Sequence, residues 1–359
     1  MWPDRRLLDL FKLEVPIIQA PMAGANGSAM AIAVSEAGGL GSLPCAMLDV
    51  AKIRAELGVI RQRTGKPINA NFMCHTPAKP DAQRDAAWKA RLAGYYREFG
   101  LDPSAEVPSV NRAPFDAAMC EAVEEFKPEV VSFHFGLPAA PLLKRVKAAG
   151  SLVTSSATTA EEARWLEDNG CDAIIAQGNE AGGHRGIFLS DNISAQPGTF
   201  ALVPQVVDAV KVPVIAAGGI SDGRGVAAAF ALGAAGVQVG TAFLFTPEAI
   251  ITKMHRAALG AARDDGTTLT NLFSGRPARG LYNRVMREVG AISDLTPAFP
   301  TAGGALAPLK AKAEAQGSGD FSSLWSGQAA SLARETDAAT LTRKLAEDGA
   351  AALRRLANS

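Results

Sequence analysis

The sequence has 359 residues, 48% of them hydrophobic, which is enough for one large domain with a full apolar core or for a domain with an appended subdomain. Lysine plus arginine and aspartate plus glutamate each number 36, so the formal net charge is zero and no basic surplus indicates a nucleic acid partner. The amino terminus lacks a secretory apolar stretch and the four cysteines form no C-x-x-C pair, so we expect a cytoplasmic protein with reduced thiols, no metal and no membrane association.

Eight short apolar runs follow one another along the chain, each typical of a strand buried on both faces. They are 16–21, 39–43, 67–72, 130–135, 152–156, 173–177, 213–217 and 236–240. Most are separated by segments with helical periodicity, such as 28–37, 141–149, 159–169 and 223–232. Eight strand–helix repeats predict a closed parallel (β/α)8 TIM barrel. An open doubly wound sheet is the competing fold, but no G-x-G-x-x-G joins a strand to a helix, and polar residues follow nearly every strand.

Two segments interrupt the regular spacing. The gap between the third and fourth strands is too long for one βα unit and has its own helical pattern, which predicts a helical insertion over 75–125. Residues 263–359 read as an irregular stretch followed by a helix at 338–357, a C-terminal extension that caps the barrel and contributes to its mouth. The barrel itself is then predicted to comprise 1–74 and 126–262.

The loops after the seventh and eighth predicted strands have the composition of a phosphate site, AGGISD from Ala217 and QVGT from Gln238. In barrels of this kind, backbone N–H groups of these two loops commonly hold a phosphate. Glycine lets the backbone approach the ligand, and a threonine adds a hydroxyl donor. The residues predicted to bind are Gly218, Gly219, Gln238, Val239, Gly240 and Thr241.

Other strand ends carry small apolar and amide side chains that suit a flat heterocycle. We therefore predict that a flavin ring binds at this rim. Small apolar residues after the first strand would lie under the ring, amides at the third and sixth strands would bond to its edge, and paired glycines beyond the sixth strand would let the backbone approach it. The residues are Pro21, Met22, Ala23, Asn71, Gln177, Gly182 and Gly183. Each amide taken alone is equally consistent with bonding to local backbone.

Of the four histidines, His184 is placed best for proton transfer, because it follows the paired glycines and can present Nε2 to a substrate atom. Arg185 beside it either lowers its pKa or is solvated. His134 ends the fourth strand and is predicted to face the substrate, with a hydrogen-bonded core histidine as the alternative. His255 lies in a predicted helix and is expected at the surface.

The motifs PIIQAPMAG, PINANF, VVSFHFG, QGNEAGGHRG, AAGGI and QVGTAF resemble those of the nitronate monooxygenases, formerly 2-nitropropane dioxygenases, in the class with the EAGGHRG signature. The resemblance extends from Val15 to the LWSGQ stretch at 324–328. It implies noncovalent FMN held by Asn71, Gln177, Gly182, Gly219 and residues 238–241, with His184 as the catalytic residue.

The same resemblance implies oxidation of alkyl nitronates such as propionate 3-nitronate, with O2, to a carbonyl compound and nitrite through a flavin semiquinone. A monomer or homodimer is expected. Phe299 stands where relatives often carry a tyrosine beside a proline, in a loop predicted to contact the substrate.

Two other enzyme classes stay open at this point. An FMN-dependent NAD(P)H reductase, acting on an enoyl-acyl-carrier protein or a quinone, would share the barrel, the FMN loops and the AGGH element. A flavin-free phosphate-binding lyase or isomerase would need a lysine or carboxylate at a strand end, and the predicted strands supply neither.

Overall fold

The computed structural model describes residues 2–108 and 112–358. Its strands, in chain order, are β1 (Ile17–Gln19), β2 (Gly41–Pro44), β3 (Ile68–Met73), β4 (Val130–His134), β5 (Leu152–Ala157), β6 (Ala173–Gln177), β7 (Gly183–His184), β8 (Val214–Ala217), β9 (Gly236–Val239), β10 (Thr267–Thr270) and β11 (Ala278–Leu281). Eight of them form one sheet in the order β1-β9-β8-β6-β5-β4-β3-β2. A parallel bridge between Ile18 and Leu40 joins the first and last strands of that order. The predicted TIM barrel is confirmed, with a strand at each of the eight apolar runs.

The helices are α1 (Arg6–Phe11), α2 (Ser28–Glu36), α3 (Val50–Arg63), α4 (Ala82–Glu98), α5 (Ala117–Phe126), α6 (Ala140–Ala148), α7 (Ala160–Asp168), α8 (Thr199–Ala209), α9 (Gly223–Ala231), α10 (Lys253–Gly260), α11 (Arg284–Val289), α12 (Ala307–Ala315) and α13 (Ala338–Ala357). Several begin where an aspartate side chain accepts a hydrogen bond from the first turn, as at Asp49, Asp116 and Asp337. In the part of the chain that the structure describes, no helix is both long and apolar enough to cross a membrane.

The helices around the barrel are α2, α3, α5, α6, α7, α8, α9 and α13. Helix α5 packs against α3 and α6, although the predicted division put it in the insertion. Helix α13 packs between α9 and α2, so it occupies the eighth place of the ring. The bounds 1–74 with 126–262, 75–125 and 263–359 stay a prediction, and the packing assigns α5 and α13 to the barrel wall. Helix α1 inserts Leu7 and Leu8 into an apolar cluster with residues inside the barrel.

The insertion and the C-terminal extension share one apolar cluster. Trp88 and Leu92 of α4 pack there with Leu309 of α12 and with Phe321. The Trp88 indole N–H donates to the carbonyl of Ala302 at 3.0 Å, which satisfies a buried polar group. The two segments therefore form a single layer beside the barrel, and Lys310 and Trp325 of this layer line the main cavity.

Candidate active site

A cavity of about 440 Å³ opens at the carboxyl ends of the barrel strands. Parallel strands all end at the same rim, so residues that follow different strands converge there. The predicted site residues that line it are Pro21, Met22, Ala23, Asn71, His134, Gln177, Gly182, Gly183, His184, Gly218, Gly219, Gln238, Gly240 and Thr241. One cavity therefore collects residues from nearly every predicted binding loop.

Two predicted site residues, Val239 and Phe299, are not among the lining residues. The Val239 side chain is 1% exposed and lies in the hydrophobic core, because alternation along β9 turns it away from the cavity that Gln238 faces. Phe299 is 5% exposed and packs edgewise against the rings of His75 and His184, with centroids 4.7 and 5.5 Å away. Phe299 thus packs against the imidazole of His184 without lining the cavity.

The loops after β8 and β9 form a backbone cradle. Gly218 and Gly219 have φ values of +112° and +72°, a region in which a side chain is strained. In the described ranges, the amides of Gly219 and Gly240 make no loop backbone hydrogen bond. The Thr241 hydroxyl oxygen accepts a hydrogen bond from the Gly327 amide at 2.9 Å, which ties this cradle to the C-terminal extension. Such a cradle fits a phosphate group.

The amide side chains in the cavity wall differ in whether other protein groups already hydrogen-bond to them. Gln238 Oε1 is buried and has no hydrogen-bond partner within residues 2–108 and 112–358. Asn71 Nδ2 donates to Ser132 Oγ at 2.9 Å. Gln177 bonds to the histidine loop at both ends, since Nε2 donates to the His184 carbonyl at 2.9 Å and Oε1 accepts from the Gly186 amide at 2.7 Å. The unpaired Gln238 oxygen, beside the glycine cradle, fits an N–H donor of a flavin ring.

His184 is held on a short strand. β7 pairs antiparallel with β11, with His184 opposite Ala278 and Gly183 opposite Arg279, and β11 pairs in turn with β10. The Arg185 amide donates to the Pro277 carbonyl at 2.9 Å and extends the pairing by one step. The C-terminal extension therefore sets the direction of the candidate catalytic residue.

The surroundings of His184 keep its imidazole neutral. Burial lowers its pKa well below the ordinary value, and the positive charges of Arg112 and Arg276 lower it further. The sequence predicts that Nε2 meets the substrate, but in the structure Nε2 lies 2.8 Å from Ser274 Oγ and so already has a hydrogen-bond partner. The rings of Phe135 and Trp325 flank the imidazole, with centroids 6.0 and 5.5 Å away. A neutral imidazole of this kind can accept a proton or take part in a hydrogen bond.

The sequence profile of the nitronate monooxygenases matches residues 4–348. The chain belongs to the nitronate monooxygenase family. It is 42% identical over 346 residues to a nitronate monooxygenase of Pseudomonas aeruginosa, covering 96% of this chain and 98% of that one.

The structure of the chain is similar to that of a nitroalkane oxidase from Streptomyces ansochromogenes. The TM-score is 0.88, the sequence identity is 38%, and the match covers 99% of this chain and 100% of that one. FabK from Thermotoga maritima is less similar, with a TM-score of 0.73, 26% identity and coverage of 100% and 99%. The protein is therefore an oxidoreductase.

In this member of the nitronate monooxygenase family, His134 holds the backbone of His184. Burial lowers the pKa of His134 to about 4, so the ring is neutral near pH 7. Its Nε2 lies 3.2 Å from the His184 carbonyl and Nδ1 lies 3.0 Å from Ser156 Oγ. A carbonyl only accepts, so Nε2 carries the proton and Nδ1 accepts from the serine. The His184 carbonyl thus receives hydrogen bonds from both His134 and Gln177.

Both expectations for Arg185 are wrong. The side chain is 0% exposed, and its guanidinium donates to the carbonyls of Gln177 and Gly178 and to Gln196 Oε1. It is not solvated, and the charges that lower the His184 pKa belong to other residues. Arg185 points away from the mouth because successive residues of β7 and its continuation face opposite sides.

His255 is also misplaced by the sequence. It is 8% exposed, and Nε2 donates to the Trp325 carbonyl at 3.0 Å. The C-terminal extension covers the face of α10 on which His255 lies, so the surface prediction is wrong.

The sequence made no prediction for Arg112, Ser274 and Trp325, which the structure places near His184. Trp325 lies within the LWSGQ stretch, whereas the segments around Arg112 and Ser274 have no periodicity that would indicate a site.

Proposed function

We propose that this nitronate monooxygenase family member oxidises alkyl nitronates such as propionate 3-nitronate with O2, to a carbonyl compound and nitrite, using noncovalently bound FMN. One observation carries the proposal. A single cavity combines the neutral imidazole of His184 with the glycine cradle at Gly218, Gly219 and Gly240. An imidazole suits proton transfer, and a cradle of backbone amides suits the phosphate of a nucleotide cofactor.

The fit of FMN to these residues follows from their free groups. The amides of Gly219 and Gly240, with the Thr241 hydroxyl, would hold the phosphate. The unpaired Gln238 oxygen would accept from a ring N–H, and Asn71 would lie along the same wall of the cavity. When bound, FMN would supply the redox chemistry, accepting electrons from the nitronate and passing them to O2.

The residues of the chain then act on the other reactant. His184 would hydrogen-bond a nitronate oxygen or take the α-proton of a neutral nitroalkane. Ser274 at Nε2 fixes the ring orientation. Phe135, Phe299 and Trp325 pack around the imidazole and would shield part of it from water. Since burial lowers the pKa of His184, the ring would stay neutral across the neutral pH range.

Replacing His184 with asparagine tests the role of the imidazole. Asparagine retains a polar side chain but cannot exchange a proton near neutral pH. We expect bound flavin, measured as absorbance per protein, to be unchanged, while oxygen consumption with propionate 3-nitronate falls by roughly 100-fold or more. Unchanged turnover with full flavin content would remove His184 from the mechanism.

Anaerobic mixing separates the proposal from an NAD(P)H reductase on the same barrel. We expect nitronate to change the flavin spectrum of the wild-type protein and NADPH to leave it oxidised. Bleaching by NADPH with no response to nitronate would favour the reductase instead. A colourless protein that binds no added FMN would favour a flavin-free enzyme.

We propose the cytoplasm as the location, since Cys45, Cys74, Cys120 and Cys171 are all free thiols, as is usual in a reducing compartment. The proposed partners are the small nitronate and O2, and assembly as a monomer or homodimer stays a prediction.

A further inference from the structure

Arg112 brings a positive charge into the cavity wall near His184. It lines the cavity, and its guanidinium carbon lies 6.0 Å from the centre of the Phe299 ring that packs on His184. After burial, the Arg112 charge is the largest contribution to the lowered pKa of His184. The guanidinium therefore lies within electrostatic reach of the reacting imidazole.

This charge has no counter-ion on the described part of the chain. Burial lowers the pKa of Arg112, and no carboxylate in those ranges offsets the effect. Its Nε is buried and has no hydrogen-bond partner there. Residues 109–111 are Ser, Val and Asn, and none of the three has an acidic side chain. A partly buried guanidinium with an unpaired Nε and no counter-ion is costly unless a ligand compensates it.

The other charged groups in the cavity wall already have partners. Lys310 Nζ lies 3.8 Å from Glu314 Oε1. The Glu180 carboxylate accepts hydrogen bonds from the amide and hydroxyl of Thr199 at the start of α8. The pKa values of His134, His184 and His255 are lowered by burial, so these three rings are neutral near pH 7. Positive charge is thus left over at Arg112.

We propose that Arg112 is a specificity-determining residue that binds a carboxylate at the far end of the substrate. The inference rests on the proposed function, which assigns the nitronate group to His184 and leaves Arg112 for a second anionic group. A guanidinium meets a planar carboxylate with two parallel N–H groups, a geometry that a lysine does not reproduce. Nitronates with a carboxylate tail are then preferred over simple alkyl nitronates.

Two substrates of equal carbon number test this assignment. Propionate 3-nitronate carries the carboxylate, and propyl-1-nitronate lacks it. With Arg112→Gln, we expect kcat/KM for propionate 3-nitronate to fall by roughly 10- to 1,000-fold, mainly through KM, as for loss of a buried charge pair. The value for propyl-1-nitronate should change less than about threefold. Arg112→Lys should recover only part of the loss, because it keeps the charge without the two-pronged geometry.

Equal losses on the two substrates would overturn the proposal and place Arg112 on the nitronate group. Unchanged kinetics on both would also overturn it. Lys310→Gln tests the rival cation in the same wall, and a selective loss there instead of at Arg112 contradicts the assignment. Arg54→Gln, which breaks a surface ion pair of 2.8 Å with Glu125, controls for net charge.

A calorimetric titration with succinate tests Arg112 without any turnover. Succinate has a carboxylate at each end and resembles propionate 3-nitronate in length and charge. We expect wild-type protein to bind succinate and Arg112→Gln, with an unchanged melting temperature and flavin content, to bind at least roughly tenfold more weakly. Equal affinities, or no binding by wild type, would contradict the role of Arg112. If wild type binds succinate but oxidises no nitronate, the proposed function fails and the anion site stands.

Discussion

At the scale of single residues, burial sets the chemistry of His134 and His184 in the cavity wall. Burial is the main reason why the pKa values of His184 and His134 are lowered. At His184, neighbouring positive charges lower the pKa further. A neutral His184 retains one nitrogen that can accept a proton. A neutral His134 has a defined tautomer, which directs its N–H at the His184 carbonyl. One imidazole is available for chemistry and the other holds it in place.

The pH dependence of stability should reveal His134. Its folded-state pKa is about 4 against an ordinary value of 6.5, so between these values the unfolded chain binds a proton that the folded protein does not. The free energy of unfolding is therefore highest, as far as His134 is concerned, above pH 6.5. It decreases as the pH falls towards 4, because protons bind the unfolded chain in preference to the folded protein. We expect a drop from pH 7.5 to pH 5 to cost wild type about 2 kcal/mol more than His134→Gln. Urea unfolding at both pH values measures this difference, and equal losses would show an unshifted pKa.

The positions of the cavity residues were predictable from the sequence, but the directions of some side chains were not. Pro21, Asn71 and Gly219 follow or end apolar runs, and this alone brings them to one rim. Arg185 and His255 are polar residues next to functional or helical patterns, and their burial depends on tertiary contacts: Arg185 bonds to Gln196, 11 positions away, and His255 bonds to Trp325, 70 positions away. Hydrophobic periodicity does not reveal which groups a polar side chain will meet in the folded protein.

At the scale of elements, the loops after β8 and β9 form the cradle, and the C-terminal extension packs against it and against the loop after β6. The C-terminal extension lies very close to Gly182, since a Cβ at this position would be 2.5 Å from the amide nitrogen of Gly327. The eight strands were recognisable because each is short, apolar and bounded by turn residues. β7 has two residues and exists only because β11 pairs with it, so no local pattern indicates it.

Gly240→Val tests whether the cradle binds the FMN phosphate. A Cβ at Gly240 would lie 3.5 Å from Ala20 Cβ and 3.9 Å from Met22 Sδ, which is ordinary contact, so the fold should tolerate the change. The added side chain would occupy space beside the loop amides. We expect a folded protein with little bound flavin. Gly65→Val, at a position with nothing within 4 Å of a new Cβ, should keep its flavin. Full flavin occupancy in Gly240→Val would show that the phosphate binds elsewhere.

At the scale of the whole molecule, the barrel wall is completed by the last helix of the chain. α13 packs against α9 and α2, although the extension lies between it and β9. Its bounds were predicted from an alanine-, arginine- and leucine-rich composition, but its place in the ring was not predicted, because a long intervening segment hides which strand it follows. α5 was assigned to the insertion for the same reason.

A pair of glycine-to-alanine changes tests the packing of α13. Both positions lie inside helices, where alanine is intrinsically favoured by up to about 1 kcal/mol. At Gly349 of α13, a Cβ would lie 2.7 Å from Val226 Cγ1 and 2.9 Å from Val226 Cβ on α9. We expect Gly349→Ala to lower the free energy of unfolding by about 1–3 kcal/mol through overpacking.

Gly94→Ala in α4, with nothing within 4 Å of the new Cβ, should raise the free energy of unfolding. Urea denaturation of both variants measures the two effects. Stabilisation by both substitutions would show that α13 does not press on α9.

The pairing of β7 with β11 has a consequence for how the protein matures. His184 and its hydroxyl partner Ser274 are 90 positions apart in the sequence. A polypeptide released before residue 274 would contain every barrel strand but neither the partner strand nor the serine. We therefore expect premature translation products to lack the ordered imidazole, so that the proposed activity begins only once synthesis has passed well beyond the last barrel strand.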